Sequence, residues 1–218
     1  MLQSTQETLQ QRYNLQIAYW LLFCAGVIFA MILLGGVTRL TNSGLSMVEW
    51  RPIMGVIPPL SEADWQQLFS KYQQFPEYQK VNLGMTLAEF KPIFIYEYLH
   101  RVLGRIIGVI FVIPFAYFYL TKRIPAGLTP KLVVMLLLGA GQGLLGWYMV
   151  KSGLVNDPRV SHYRLTAHLG NAALIYGFIF WVACGLLHRA SLQPTTLRIP
   201  AMAISVLICL MILSGGLV

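Results

Sequence analysis

Two histidines lie in stretches that otherwise read as membrane-spanning. His100 sits in Ile95-Tyr96-Glu97-Tyr98-Leu99-His100-Arg101, and His168 in Arg164-Leu165-Thr166-Ala167-His168-Leu169-Gly170. An ionisable side chain at membrane depth is costly, so each is a candidate functional residue by default. Each is also about as far from the polar start of its apolar run, roughly 10 Å at the helical rise of 1.5 Å per residue. Imidazoles at one level on two helices of a bundle can clamp a metal, and the set fits a haem ligated on both faces. Either histidine alone reads as well as a packing residue bonded to a neighbour; the shared depth favours ligation.

The neighbours of the pair extend the pattern. Glu97 precedes His100 by one turn on the same face, where it could hold charge or move a proton. Arg101 and Arg105 are helical neighbours suited to binding carboxylates bidentately, and Arg164, one turn before His168, is a third such cation. Their other reading is snorkelling to headgroups or, for Arg101, pairing with Glu97. Gly104 and Gly108 leave a side-chain-free strip after His100, open to a flat macrocycle or to a packed helix. Gln142 is polar within an apolar run and is expected to bond to a neighbouring helix. His162 and His188 fall at run ends and read as solvated.

The elements that must position these residues are long apolar helices. The chain has 218 residues, 56% hydrophobic and only 11% charged, against about a quarter charged in soluble domains. Apolar runs at 17–38, 93–121, 132–150, 165–187 and 199–218 reach or approach the roughly 20 residues a spanning helix needs. The expected fold is therefore all-α, a multi-pass transmembrane bundle. The first run is too long for a signal peptide. The net charge of +8 does not indicate nucleic acid, because the basic residues fall at helix ends. Lys122, Arg123 and Lys131, and then Arg189 and Arg198, stand in links without acids. By the positive-inside rule those links are cytoplasmic, the N-terminus is inside, and 41–92 and 151–163 are outside. Trp50, Trp65, Trp147 and Tyr148 suit an interfacial aromatic belt. Cys24, Cys184 and Cys209 all fall within spans, where three buried apolar cysteines are expected.

The outer segment 41–92 is too long for a plain connection. Ser61-Glu62-Ala63-Asp64 has capping-box spacing and leads into Trp65, Leu68, Phe69 and Tyr72, an amphipathic helical stripe. Thr86-Leu87-Ala88-Glu89 repeats the capping signal before the second span. A structural cap over the bundle and a lid over a ligand are equally compatible with this. A short repeat joins Ala30-Met31-Ile32-Leu33-Leu34-Gly35-Gly36-Val37 to Leu210-Met211-Ile212-Leu213-Ser214-Gly215-Gly216-Leu217, four spans apart. It is the pattern of a four-helix unit beginning a second time. The expected division is an N-terminal tail 1–16, a four-helix unit 17–187, and an inner link with a fifth helix at 188–218 that opens a second unit. A longer, duplicated parent is expected.

Gly36-Val37-Thr38-Arg39-Leu40-Thr41-Asn42-Ser43-Gly44-Leu45-Ser46-Met47, Pro76-Glu77-Tyr78, Glu89-Phe90-Lys91, Glu97-Tyr98-Leu99-His100-Arg101 with Gly104-Arg105, Gly146-Trp147-Tyr148-Met149-Val150-Lys151-Ser152-Gly153-Leu154, and Asp157-Pro158-Arg159-Val160-Ser161 continuing to His168 together carry a resemblance to haem A synthase. It covers nearly the whole chain in order and looks like the proteobacterial and mitochondrial branch. Some relatives carry a cysteine pair in the first outer segment; this chain has none there. The resemblance implies two four-helix halves, each with a histidine pair, and oxidation of a methyl group of haem O to the formyl group of haem A for cytochrome oxidase assembly. It implies that haem O is the substrate in this half, with Glu97 catalytic, and that haem b belongs to a second half. The partners it implies are the bilayer of a bacterial inner membrane, an electron donor such as a ferredoxin, haem O synthase, oxidase assembly factors and a second copy of the chain. The rival function is a bis-histidine, cytochrome-b-like electron carrier.

Overall fold

Seven helices form in the computed structural model, which describes residues 2–49, 57–155, 158–188 and 196–217. They are α1 (Leu2–Leu40), α2 (Glu62–Tyr72), α3 (Pro76–Lys80), α4 (Leu87–Leu120), α5 (Thr129–Gly153), α6 (His162–Leu187) and α7 (Arg198–Leu217). Among the described residues there is no strand. Five helices, α1 and α4 to α7, are long and apolar enough to cross a membrane, so all five expected spans are present. Trp50, Asp157 and Arg189 lie outside the described residues.

Helices α1, α4, α5 and α6 surround one core, and α7 packs against α6. That core lies in one half of the bundle. Ile17, Leu21, Cys24, Ala25 and Ile28 of α1 meet Phe111 and Phe118 of α4, Leu132 and Met135 of α5, and Ile175, Ile179, Val182 and Ala183 of α6. The half holding the histidines contributes none of the buried members of this cluster. Of the three cysteines only Cys24 is buried; Cys184 is half-buried and Cys209 faces outward, so the expectation of three buried thiols holds for one.

Pro114 shows how α4 meets α1. A proline within a helix supplies no N–H to the carbonyl four residues back, here that of Ile110. The Trp20 indole of α1 donates to that carbonyl at 2.8 Å, and its ring tilts against Phe111 and Phe118 with centroids 5.2 and 5.7 Å away. In hydrocarbon, where water cannot satisfy a carbonyl, such a replacement donor is required.

The other end of the bundle is closed by 41–49 and 57–86. Helix α2 starts on the expected capping box: the Ser61 hydroxyl accepts from the Asp64 N–H and the Asp64 carboxylate accepts from the Ser61 N–H. Thr86 and Glu89 repeat the arrangement at the start of α4. Each such cap is worth about 1 kcal/mol. Gly84, with φ of +89°, supplies the left-handed turn into α4. Tyr72, Phe90 and Phe94 form a second buried cluster with Trp65, Phe69 and Tyr78 around it, so the amphipathic stripe of α2 packs onto the first turns of α4. This is why α4 begins at Leu87 rather than near residue 93. Its polar first turns stay helical because α2 and α3 cover them.

Candidate haem-binding site

The site begins where α1 ends. Asn42 adopts φ of +51°. The Asn42 N–H bonds to the Arg39 carbonyl at 3.0 Å and the Ser43 N–H to the Thr38 carbonyl at 2.9 Å. This is a Schellman turn, with asparagine in the left-handed position. It folds the chain back over the bundle, where Leu45 is buried against Gly153 at the end of α5. Ser46 and Met47 then reach α4. The Ser46 hydroxyl and the Met47 N–H each donate to the Glu97 carboxylate at 2.7 Å. Arg101 pairs with the other Glu97 oxygen and donates to the carbonyls of Met47 at 2.9 Å and Glu49 at 3.4 Å. Glu97, 3% exposed, therefore latches the outer segment to α4. Its pairing with Arg101 is the structural option the sequence left open.

One turn further, His100 packs on α1. A Cβ at Gly35 would stand 3.1 Å from the His100 Cε1. His168 packs on α5 in the same manner: a Cβ at Gly146 would stand 3.0 Å from its Cε1. The two imidazoles lie within electrostatic range of each other. Both Nδ1 atoms are buried and without a hydrogen-bond partner. Measured from the helix starts the histidines differ, His100 lying thirteen residues into α4 and His168 six into α6. They come within range of each other because the first turns of α4 lie beside α2 and α3 rather than within the bundle.

The remaining expected residues spread around this pair. Arg105 is half-buried on α4. The Arg164 guanidinium stacks over the Tyr148 ring of α5 at 4.7 Å. Gln142 bonds to α6 as expected, its amide donating to the His168 carbonyl at 2.9 Å. Asn171, unremarked in the sequence, donates to the Gln142 side-chain oxygen at 2.8 Å; its spacing of three from His168 was the available signal. Gly104 meets Met31 of α1, whereas Gly108 has open space. His162 and His188 are exposed. Among the described residues no group of three or more histidine, cysteine or carboxylate side chains could hold a metal ion. The site is thus an imidazole pair, a donor set that suits haem, whose porphyrin supplies the remaining iron ligands.

Glu77 was also not singled out as a site residue. It is 6% exposed on α3, hydrogen-bonded by Tyr72 and close enough to Glu97 to feel its charge. Burial, then that charge, raises its carboxyl to about 7.

Comparisons with known proteins cover the stretch that holds these residues. A family model described as cytochrome oxidase assembly protein matches residues 18–218. The chain is 53% identical over 221 residues to the haem A synthase of Nitrosospira multiformis, which covers 95% of this chain and 60% of that protein. It is 54% identical over 209 residues to that of Paramagnetospirillum magneticum, covering 93% and 59%. Against that of Flavobacterium psychrophilum it is 44% identical over 208 residues, covering 94% and 61%. The chain spans about 60% of the length of the curated relatives it matches. No solved structure matches it significantly.

Proposed function

The chain belongs to the cytochrome oxidase assembly protein family, and from that premise we propose that it binds haem O between α4 and α6 and serves its oxidation to haem A. The observation that carries this reading is the imidazole pair, each ring half-buried against a glycine of a neighbouring helix with its buried Nδ1 unpartnered. His100 and His168 would hold the iron. Arg105 and Arg164 supply positive charge for the propionates, while Arg101 acts mainly through the outer segment it grips. When bound, the haem supplies the redox-active iron and the methyl group to be oxidised.

The chain's own contribution is position, charge and exclusion of water. The turn at Asn42 and the cap at 57–86 cover the histidine half of the bundle. Glu97 brings a fixed negative charge to within one turn of His100, where it can stabilise positive charge developing on the substrate. Oxidising a methyl to a formyl removes electrons and protons from the carbon and adds an oxygen atom. The oxidant that supplies the oxygen atom and takes up these electrons, and the electron donor, a ferredoxin-like protein or another carrier, come from outside these residues. A second half with its own histidine pair and a haem b, contacts with haem O synthase and assembly factors, and self-association complete the proposal at the level of the whole protein.

One observation favours the electron-carrier reading. The Glu97 carboxylate already accepts from Ser46, Met47 and Arg101, which suffices to explain its presence structurally. Two measurements separate the readings. His100→Ala and His168→Ala should each abolish or convert a six-coordinate haem spectrum, and unchanged spectra would reduce both to packing residues. Glu97→Gln should retain haem yet shift the extracted pigment from haem A to haem O or a partly oxidised alcohol, by 10-fold or more if the carboxylate contributes the ~1.4 kcal/mol or more expected of preorganised charge. Haem b alone, in wild type and variant alike, would establish the carrier.

A further inference from the structure

Iron-ligating histidines are usually oriented by a hydrogen bond from the second ring nitrogen to a carboxylate, carbonyl or water. His100 and His168 lack it: both Nδ1 atoms are buried and unpartnered. Glu97, one turn from His100, is directed to Ser46, Met47 and Arg101. Gln142 reaches the backbone carbonyl of His168 and not its ring. The contact that does define each ring is steric. The Cε1 edge of His100 rests on Gly35, and that of His168 on Gly146, at distances where a Cβ would stand 3.1 and 3.0 Å away. The neighbouring Gly36 and Gly143 have open space at the corresponding position.

We propose that Gly35 and Gly146 are positioning residues that set the planes of the two ligand imidazoles by close backbone approach, in place of a hydrogen bond. The inference rests on the haem-binding reading above. Each ring is placed on a helix other than its own, His100 on α1 and His168 on α5, so all four helices of the bundle fix the pair. A methyl group at either glycine would push the ring by several tenths of an ångström or rotate it. Helix propensity acts oppositely, since alanine is preferred to glycine by about 1 kcal/mol in a helix interior. A loss caused by the substitution is therefore not a helix defect.

The test uses Gly35→Ala and Gly146→Ala, with Gly36→Ala and Gly143→Ala as controls, in protein purified from its membrane. The readout is the visible and electron-paramagnetic spectrum of the haem that depends on His100 and His168. Each of the first two variants should shift that low-spin signal or convert it to high spin, and the controls should keep the wild-type spectrum. Unchanged spectra in Gly35→Ala and Gly146→Ala, or equal changes in the controls, would overturn the proposal. If Gly35→Ala lowers the amount of protein in the membrane, Gly35→Ala combined with His100→Ala should restore it, because the group in conflict is gone. A persistent loss in that double variant would assign the cost to helix packing and equally overturn it. Lack of any histidine-dependent haem signal in the wild type would defeat the haem reading, and this one with it.

Discussion

Glu77 and Glu97 are both buried, and their polar surroundings differ. Glu97 has an arginine, a hydroxyl and a backbone N–H around its carboxylate. Glu77 has the Tyr72 hydroxyl, while one oxygen is without a partner. Its folded value of about 7 lies above the ordinary 4.5, so the folded state holds the proton more tightly than the unfolded chain. Linkage then makes stability fullest below the ordinary value and loses it as pH rises through the folded one. The thermal midpoint of wild type in detergent should fall between about pH 5 and about pH 8, by on the order of 5 °C for this one group. Glu77→Gln, neutral throughout, should flatten the profile, and an unaltered slope would show that Glu77 does not titrate there. Of the two carboxylates, Glu97 was legible in the sequence because its spacing to His100 is helical and local. Glu77 was not, because its environment is made by Tyr72, ahead of it in the chain, and by Glu97 on α4. The glycine seats were hidden for the same reason: Gly35 and His100 are 65 positions apart, and no periodicity links them.

The elements themselves were nearly all readable, since five apolar runs and two capping boxes are short-range signals. What could not be read were ends set by tertiary contacts, such as the start of α4 under the outer cap, and the partners of irregular backbone. The Ile110 carbonyl, orphaned by Pro114 and satisfied by Trp20 from α1, is an instance with a measurable consequence. Trp20→Phe keeps the ring contacts but leaves the carbonyl only the weak Cys24 thiol donor at 4.0 Å, which should cost ~1–3 kcal/mol. Pro114→Ala would return an N–H to the position four residues on and let the helix satisfy Ile110 by itself. In that background Trp20→Phe should cost distinctly less, a coupling visible in a double-mutant cycle of denaturation midpoints. Equal costs in both backgrounds would mean that the indole matters for packing alone. Measured couplings between membrane helices average about 0.6 kcal/mol, so the coupling is expected at the lower end of that range.

At the scale of the whole molecule the two ends of the bundle differ in how they handle charge. At the capped end, Lys71 pairs with Glu49 at 2.7 Å and Lys91 with Glu62 at 2.9 Å, and Arg101 is bound to Glu97, while Lys151 and Arg164 lie over the rings of Trp147 and Tyr148. At the opposite end, Arg123 lies over the rings of Tyr13 and Tyr117 at 5.2 and 5.1 Å, and Lys131 over Trp181 at 5.0 Å. These are contacts that leave positive charge uncompensated at the membrane boundary. The apolar core fills the half next to this basic end, and the imidazole pair lies in the other half, beneath the cap. Because uncompensated Lys and Arg are retained on the cytoplasmic side, the expected orientation puts the N-terminus inside and the histidine pair towards the outer face of the membrane. A cysteine introduced at Gln73, between α2 and α3, should react with a membrane-impermeant maleimide in intact cells. One introduced at Lys122, between α4 and α5, should react only after permeabilisation. The native Cys24, Cys184 and Cys209 sit within the spans and set the background. The reverse labelling pattern would invert the molecule, place the imidazole pair near the cytoplasmic face, and require any haem substrate and electron donor to approach from that side.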